Sequence, residues 1–196
     1  MFSGASFLFL ASVSLSSEPY SAITDRKIWT DDSHTVYQQK SDKLSAVNAW
    51  VNSVPYSYEK EDNWLDPDTF FTQGGDCEDY ALAKMKILRS QGVPATQLRL
   101  VLVRNHLGLP HAVLLHSSGK MFDNSTLVLD SETDKIVPLY RRKDLTPFVS
   151  FSQSNIHVHK NGDWNAEVVF DGLPQHGNKW AAVQGAYNPT RPAEKL

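Results

Sequence analysis

The 196-residue chain contains one cysteine, Cys77. That scarcity excludes an intramolecular disulfide framework and every zinc or iron–sulfur site needing two or more thiolates, leaving a buried bystander or a reactive thiol. A surplus of positive charge is also lacking. The 19 Lys and Arg stand against 22 Asp and Glu, a formal net charge of −3. No basic field can then neutralise a row of phosphates, which argues against a nucleic-acid partner. No apolar run approaches the roughly 20 residues of a membrane-spanning helix. Internal repeats and low-complexity stretches are absent as well. What is present, 41% hydrophobic and 21% charged residues, is the composition of one globular domain.

The longest apolar run, Ala5 to Leu15, has the length of a signal-peptide core, with Ser14, Ser16 and Ser17 as small residues before Glu18. Residues 1–17 are therefore expected to form a signal peptide and the mature protein to be exported, although no Lys or Arg precedes Arg26. The main domain is expected over 18–172. A loosely ordered tail, rich in Pro, Gly and Asn, is expected over 173–196.

Leu44, Val47, Trp50, Val51 and Val54 recur at helical spacing and predict an amphipathic helix from Ser41 to Val54, stopped by Pro55. Asp66-Pro67 reads as an N-cap and first helical residue of a short helix through Phe70 and Phe71, broken by Gly74-Gly75. Cys77 to Ser90 carries seven apolar residues without Pro or Gly and predicts a buried helix ending at Gly92 and Pro94. Strands are predicted at Leu98–Arg104 and His111–Ser117, and a third through Met121 and Phe122. Further strands are predicted near Phe148–Phe151, Ile156–His159 and Glu167–Phe170, with turns at Asn161-Gly162 and Asp171-Gly172.

The predicted helix places Cys77 where unpaired N–H groups and the helix dipole favour a thiolate, directly after two glycines that permit close backbone approach. The same N–H groups suit a developing oxyanion. Most lone cysteines are packed as small hydrophobes, and the position is what sets this one apart. A cysteine nucleophile needs a base. Of the seven histidines, His111 is best placed, at the start of an apolar strand. His116 is five residues along and faces the other side, His106 lies in a loop, and His34 and His176 occupy weakly patterned segments. A carboxylate must then orient the imidazole. Asp123 is the first choice: a three-residue loop at Ser117-Ser118-Gly119 makes it the diagonal neighbour of His111, whereas a two-residue turn puts it on the other face. Asp130 and Asp134 are the runners-up.

Asp76, Glu78 and Asp79 surround the thiol with like charge that raises its pKa. A hard cation with oxygen ligands, calcium above all, would use and neutralise them, while ordinary placement of acids in a first helical turn explains them equally well. His157 and His159 share a strand face without an evident third ligand, so an exposed strand face is favoured over a metal site. Trp64, Tyr56, Tyr58, Phe70 and Phe71 suit either a substrate-groove wall or packing of the long loop.

Asn63-Trp64-Leu65-Asp66-Pro67, Gly74-Gly75-Asp76-Cys77-Glu78-Asp79-Tyr80-Ala81-Leu82-Ala83-Lys84, Gly92-Val93-Pro94, His111-Ala112-Val113-Leu114 and Phe122-Asp123-Asn124 resemble the bacterial transglutaminase-like cysteine peptidases. That family includes the periplasmic LapG-type proteases that release large biofilm adhesins. The resemblance spans about Trp50 to Asn124. It implies a papain-like α+β fold, with the nucleophile on a central helix packed against an antiparallel sheet. It also implies Cys77 as nucleophile, His111 as general base and acid, and Asp123 as orienting carboxylate, with Asp76, Glu78 and Asp79 in a calcium-dependent region. The implied substrate is a protein, an adhesin in the LapG branch, and the implied regulator an inner-membrane cyclic-di-GMP receptor. The span from His111 to Asp123 is shorter than in the adhesin-releasing members. The expected activity is calcium-dependent peptide cleavage in the cell envelope. Transamidation or amide hydrolysis by the same triad, or a non-catalytic binding module on the scaffold, are the alternatives.

Overall fold

The computed structural model describes residues 33–58, 63–152, 156–160 and 163–168, together with 179, 180 and 183. The expected signal peptide lies outside these residues. Three helices precede a seven-stranded sheet: α1 (Ser33–Asn52), α2 (Pro67–Gln73), α3 (Cys77–Ser90), then β1 (Leu98–Arg104), β2 (Pro110–His116), β3 (Leu127–Asp130), β4 (Thr133–Pro138), β5 (Thr146–Phe151), β6 (Ile156–Lys160) and β7 (Asp163–Val168). The sheet order is β4-β3-β2-β1-β5-β6-β7, and every pairing is antiparallel. The architecture is the α+β fold expected of a transglutaminase-like peptidase.

The helices follow their local signals. Asp66 accepts from the Asp68 and Thr69 backbone N–H groups at 3.0 and 3.2 Å, with Pro67 at the first helical position. α3 begins at Cys77 and ends at Ser90 as predicted; α1 starts earlier than predicted, at Ser33. Leu44, Val47 and Val51 of α1, Phe70 of α2, and Ala81, Leu82 and Leu88 of α3 bury against Leu100, Ala112, Leu114 and Leu129 of the sheet. Period-two alternation sends Val101, Val103, Val113, Leu115 and Val128 to the opposite face, where Leu145, Met121, Phe122 and Leu139 cover them.

One expectation fails here. No strand runs through Met121 and Phe122. Residues 117–126 instead form a loop tied by its own polar groups: the Ser117 hydroxyl accepts from Gly119 N–H, and Asp123 accepts from the Ser125 N–H and hydroxyl at 2.8 and 2.6 Å. Phe122 sits at φ +68°, a conformation no strand continues. The third strand is β3, which begins later in the chain than predicted, at Leu127. Of the expected tail only residues 179, 180 and 183 are described, and of these Trp180 and Val183 pack in the core, with Trp180 Nε1 donating to Ser152 O at 3.2 Å.

Candidate active site

Two local devices set the position of Cys77. Gly74 (φ +83°) closes α2 and leaves no room for a side chain against the Pro55 carbonyl, while a Cβ on Gly75 would meet Phe70 Cδ2 at 2.9 Å and Asp79 Cβ at 2.8 Å. The chain thereby turns tightly into α3. Asp79, fully buried, then reaches back from the first turn to accept Asp76 N–H at 3.1 Å and Leu65 N–H at 2.7 Å. This reciprocal cap stabilises the helix start by about 1 kcal/mol. Cys77 is the first helical residue and is half-buried.

The position of His111 is set by a hairpin. Asn105 accepts from the Leu107 and Leu109 N–H groups at 3.0 Å each, and Gly108 at φ +76° completes the turn into Pro110-His111. Ala112 donates its backbone N–H to the Cys77 sulfur, so the thiol lies against the residue that follows His111. Both stand at the junction of α3 with β2.

His111 Nε2 lies 2.8 Å from Asp130 Oδ1, with both side chains buried. Asp123, expected in this role, does not reach His111: it is exposed and its carboxylate serves Ser125 in the loop. Register explains the change. β2 and β3 pair Leu115 with Val128 and Leu114 with Leu129, so the next step sets Asp130 opposite Val113, diagonal to His111 on one face. The diagonal rule was right and the strand was wrong. The carboxylate that meets His111 thus lies 19 residues along the chain, beyond the shorter span to Asp123.

Asp130 is held from its other side by Arg142, whose Nη2 lies 2.8 Å from Oδ2 and 2.7 Å from Asp144 Oδ2. Burial opposes ionisation of Asp130, but the His111 hydrogen bond and charge, Glu132 N–H and Arg142 together hold its carboxyl well below the usual carboxylate range. Asp130 is thus an anion prepared to orient an imidazole. Asp134 instead accepts from Asn52 Nδ2 at 2.9 Å.

The thiol has the opposite bias. Burial, then the carboxylates of Glu78 and Asp76, push it far up, and only Ala112 N–H acts against them. Glu78 Oε2 is 3.4 Å from Cys77 Sγ. Ligand atoms of Asp76, Cys77 and Glu78 all fall within 4.8 Å of one another, and Asp76 Oδ1 is buried without a hydrogen-bond partner among the described residues. A calcium ion fits this donor chemistry at Asp76 and Glu78. Asp79, the third expected ligand, has each oxygen already accepting a backbone N–H, which makes it a support for the turn.

The family model described as bacterial transglutaminase-like cysteine proteinase matches residues 22–159. The chain belongs to that family. Among solved structures it is similar to Legionella pneumophila LapG treated with EGTA, at 29% identity over 76% of this chain and 79% of that one, with a TM-score of 0.63. Calcium-bound LapG from the same organism is similar at 29% identity, over 74% and 78% of the two chains, with a TM-score of 0.61. A third LapG structure gives 29%, 76%, 78% and 0.62 in the same order. No curated protein sequence gives a match. As a bacterial transglutaminase-like cysteine proteinase, the chain is a cysteine peptidase of the LapG type.

The expected aromatic wall divides in two. Phe70 is wholly buried and Trp64 packs edge-on against Phe151 at 5.5 Å, so these belong to the core. Tyr56 and Tyr58 remain 60% and 79% exposed. Tyr56 bridges Gly75 and feels the charges of Asp76, Cys77 and Glu78; burial first, and those charges after it, push its phenol up to about 12. Arg142 carried no sequence signal beyond its charge. Lys84 was legible only as part of the block around Cys77, yet it is fully buried, with Nζ 6.0 Å from the Tyr80 ring centroid and no hydrogen-bond partner among the described residues. Burial lowers its pKa to about 7, against the pull of Asp130 and Asp134.

Proposed function

We propose that this chain is a calcium-dependent cysteine endopeptidase of the bacterial cell envelope, using Cys77, His111 and Asp130. The observation that carries this reading is the His111–Asp130 contact beside a thiol at a helix N-terminus. His111 takes the thiol proton as Cys77 attacks the peptide carbonyl, forming a C–S bond and a tetrahedral oxyanion facing the Cys77 backbone N–H. Collapse breaks the C–N bond and His111 returns the proton to the leaving amine. Water, deprotonated by His111, then hydrolyses the thioester and restores the thiol. Asp130 holds the ring orientation and stabilises the imidazolium throughout.

Asp76 and Glu78 would hold calcium, which supplies positive charge against the two carboxylates that oppose thiolate formation. Similarity to calcium-bound LapG supports this assignment. The LapG likeness extends the proposal to a surface adhesin as substrate, an inner-membrane cyclic-di-GMP receptor as regulator, and the periplasm, reached through residues 1–17, as the location.

The test compares new protein N-termini in cells carrying wild-type or Cys77→Ala protein, with labelled primary amine present. New termini that need Cys77 and calcium support an endopeptidase. Amine incorporation without new termini would support acyl transfer and overturn the reading.

A further inference from the structure

The sheet face turned away from the helices carries a cavity of about 850 Å³ whose lining shares only Arg142 with the site described above. Its floor is apolar, with Met121, Phe122, Leu139, Leu145 and Pro147. Its charged lining is one-sided: Arg99, Lys120, Arg142 and Lys143 against the single acid Asp123, with His157 and His159 beside them. A chain with net charge −3 has therefore gathered four of its cations around one concavity. Such an arrangement focuses a positive field where low-dielectric walls strengthen it.

The two arginines differ: Arg142 is paired with Asp130 and Asp144, and Arg99 has no such partner among the described residues. Arg99 is half-buried, enough for burial to lower its pKa. Its contacts are a long 3.5 Å approach to the Ser150 hydroxyl and the Phe122 ring, 5.8 Å away, and no carboxylate pairs with it among the described residues. Arg142 spends Nε and Nη2 on Asp144 and Asp130, while its buried Nη1 has no hydrogen-bond partner among the described residues. A half-buried guanidinium without a counter-ion costs stability unless something supplies one. The wall between them is strained as well. Phe122 holds φ +68°, which costs on the order of 1–3 kcal/mol for a bulky residue, and such strain gathers at ligand sites.

We propose that this cavity binds an acidic peptide segment of a partner protein, with carboxylates on Arg99, Lys120 and Lys143 and an apolar side chain on the Met121–Leu139–Leu145 floor. The mixed lining selects the ligand. A bare anion would leave the floor wet, and an apolar segment would leave Arg99 unpaired, whereas a hydrophobic anchor ringed by carboxylates satisfies both. The cavity meets the His111–Asp130 pair through Arg142, but the contacts tested below, at Lys120 and Lys143, lie outside that pair, so failure of the reading of Cys77 would leave them standing.

The probe is the peptide Ac-Glu-Glu-Phe-Glu-Glu-NH2, titrated calorimetrically into the full chain carrying Cys77→Ala so that no cleavage intervenes. The controls are the same peptide with Gln for Glu, inorganic phosphate, and the double variant Lys120→Glu/Lys143→Glu, whose altered side chains are exposed and whose folding is checked by its urea midpoint. The expected result is saturable binding of the acidic peptide, weakened at least tenfold by Gln in the peptide and at least tenfold by the double variant, and falling with salt. Binding that is absent, equal for the Gln peptide, or unchanged in the folded double variant would overturn the proposal. Displacement of the peptide by equimolar phosphate would overturn it too, showing a simple anion site.

Discussion

His111 Nε2 and Asp130 Oδ1 meet at 2.8 Å where the start of β2 adjoins the end of β3, both side chains out of water. The folded carboxyl lies below its ordinary value, so the stabilisation it gives is complete above the unfolded pKa of about 3.9 and is lost as pH falls through the lower folded value. Asp130→Asn should therefore cost about 3–5 kcal/mol in urea unfolding at pH 6. Below about pH 4 the gap from wild type should shrink, because the carboxyl of the unfolded wild-type chain then takes up a proton while the folded one, held lower, does not. A gap that stays constant from pH 6 to pH 2.5 would contradict the ionised pair.

Arg142 joins Asp130 to Asp144 and acts on the chemistry through Asp130. Arg142→Gln should lower kcat roughly ten- to a hundredfold by loosening the orientation of Asp130 and His111, with KM little changed. It should also raise the pH at which acid unfolding begins, because Arg142 is one of the groups that keep the Asp130 carboxyl low. Arg142→Lys keeps the charge but loses the forked contact with Asp144, and should fall between the two. Equal kcat for all three proteins would show Arg142 to be structural only.

Glu78 pushes the Cys77 thiol upward, second only to burial. Removing its charge lowers the thiol pKa and so raises the thiolate fraction at any pH below it, by about tenfold per unit of pKa. With calcium chelated, Glu78→Gln should be alkylated by iodoacetamide several-fold faster than wild type at pH 7. Added calcium should accelerate wild type and leave the variant nearly unmoved. The idea fails if calcium speeds both proteins equally.

Lys84 is fully buried with a pKa lowered to about 7 by desolvation. Unfolding lets it recover a value near 10.4, so the unfolded chain binds more protons and stability rises with pH between about 7 and 10 on its account. Lys84→Met should stabilise the fold by roughly 1–4 kcal/mol at pH 6, with the gain fading towards pH 10. Circular-dichroism melts at the two pH values decide it; a Met variant less stable at pH 6 would mean the ammonium is satisfied.

Much of the fold was legible because its signals are local. Asp66-Pro67, Gly74-Gly75 and the apolar run after Cys77 each specify a boundary within a few residues, and α2, α3 and β1 begin and end where those signals fall. The places of Cys77 at the head of α3 and of His111 near the start of β2 were readable on the same grounds. The carboxylate that meets His111 was not, because its identity depends on strand pairing across a loop. Ser117-Ser118-Gly119 has the composition of a tight hairpin turn, yet Asp123 and Ser125 close a longer loop that postpones β3 to Leu127. Leu127-Val128-Leu129 was itself a strand-like run, obscured by the polar residues on each side. Arg142 and the rear cavity arise from tertiary placement and leave no periodic trace.

Because Cys77 is the only cysteine, its alkylation reports the site without interference. The most direct measurement is the iodoacetamide reaction rate of Cys77 across pH 5–9, with calcium present, in wild type, Asp130→Asn and Asp123→Asn. The expected result is at least a tenfold loss of the neutral-pH rate in Asp130→Asn and a wild-type profile in Asp123→Asn. A wild-type profile in Asp130→Asn, or an equal loss in Asp123→Asn, would contradict the assignment of Asp130 as the residue that orients His111.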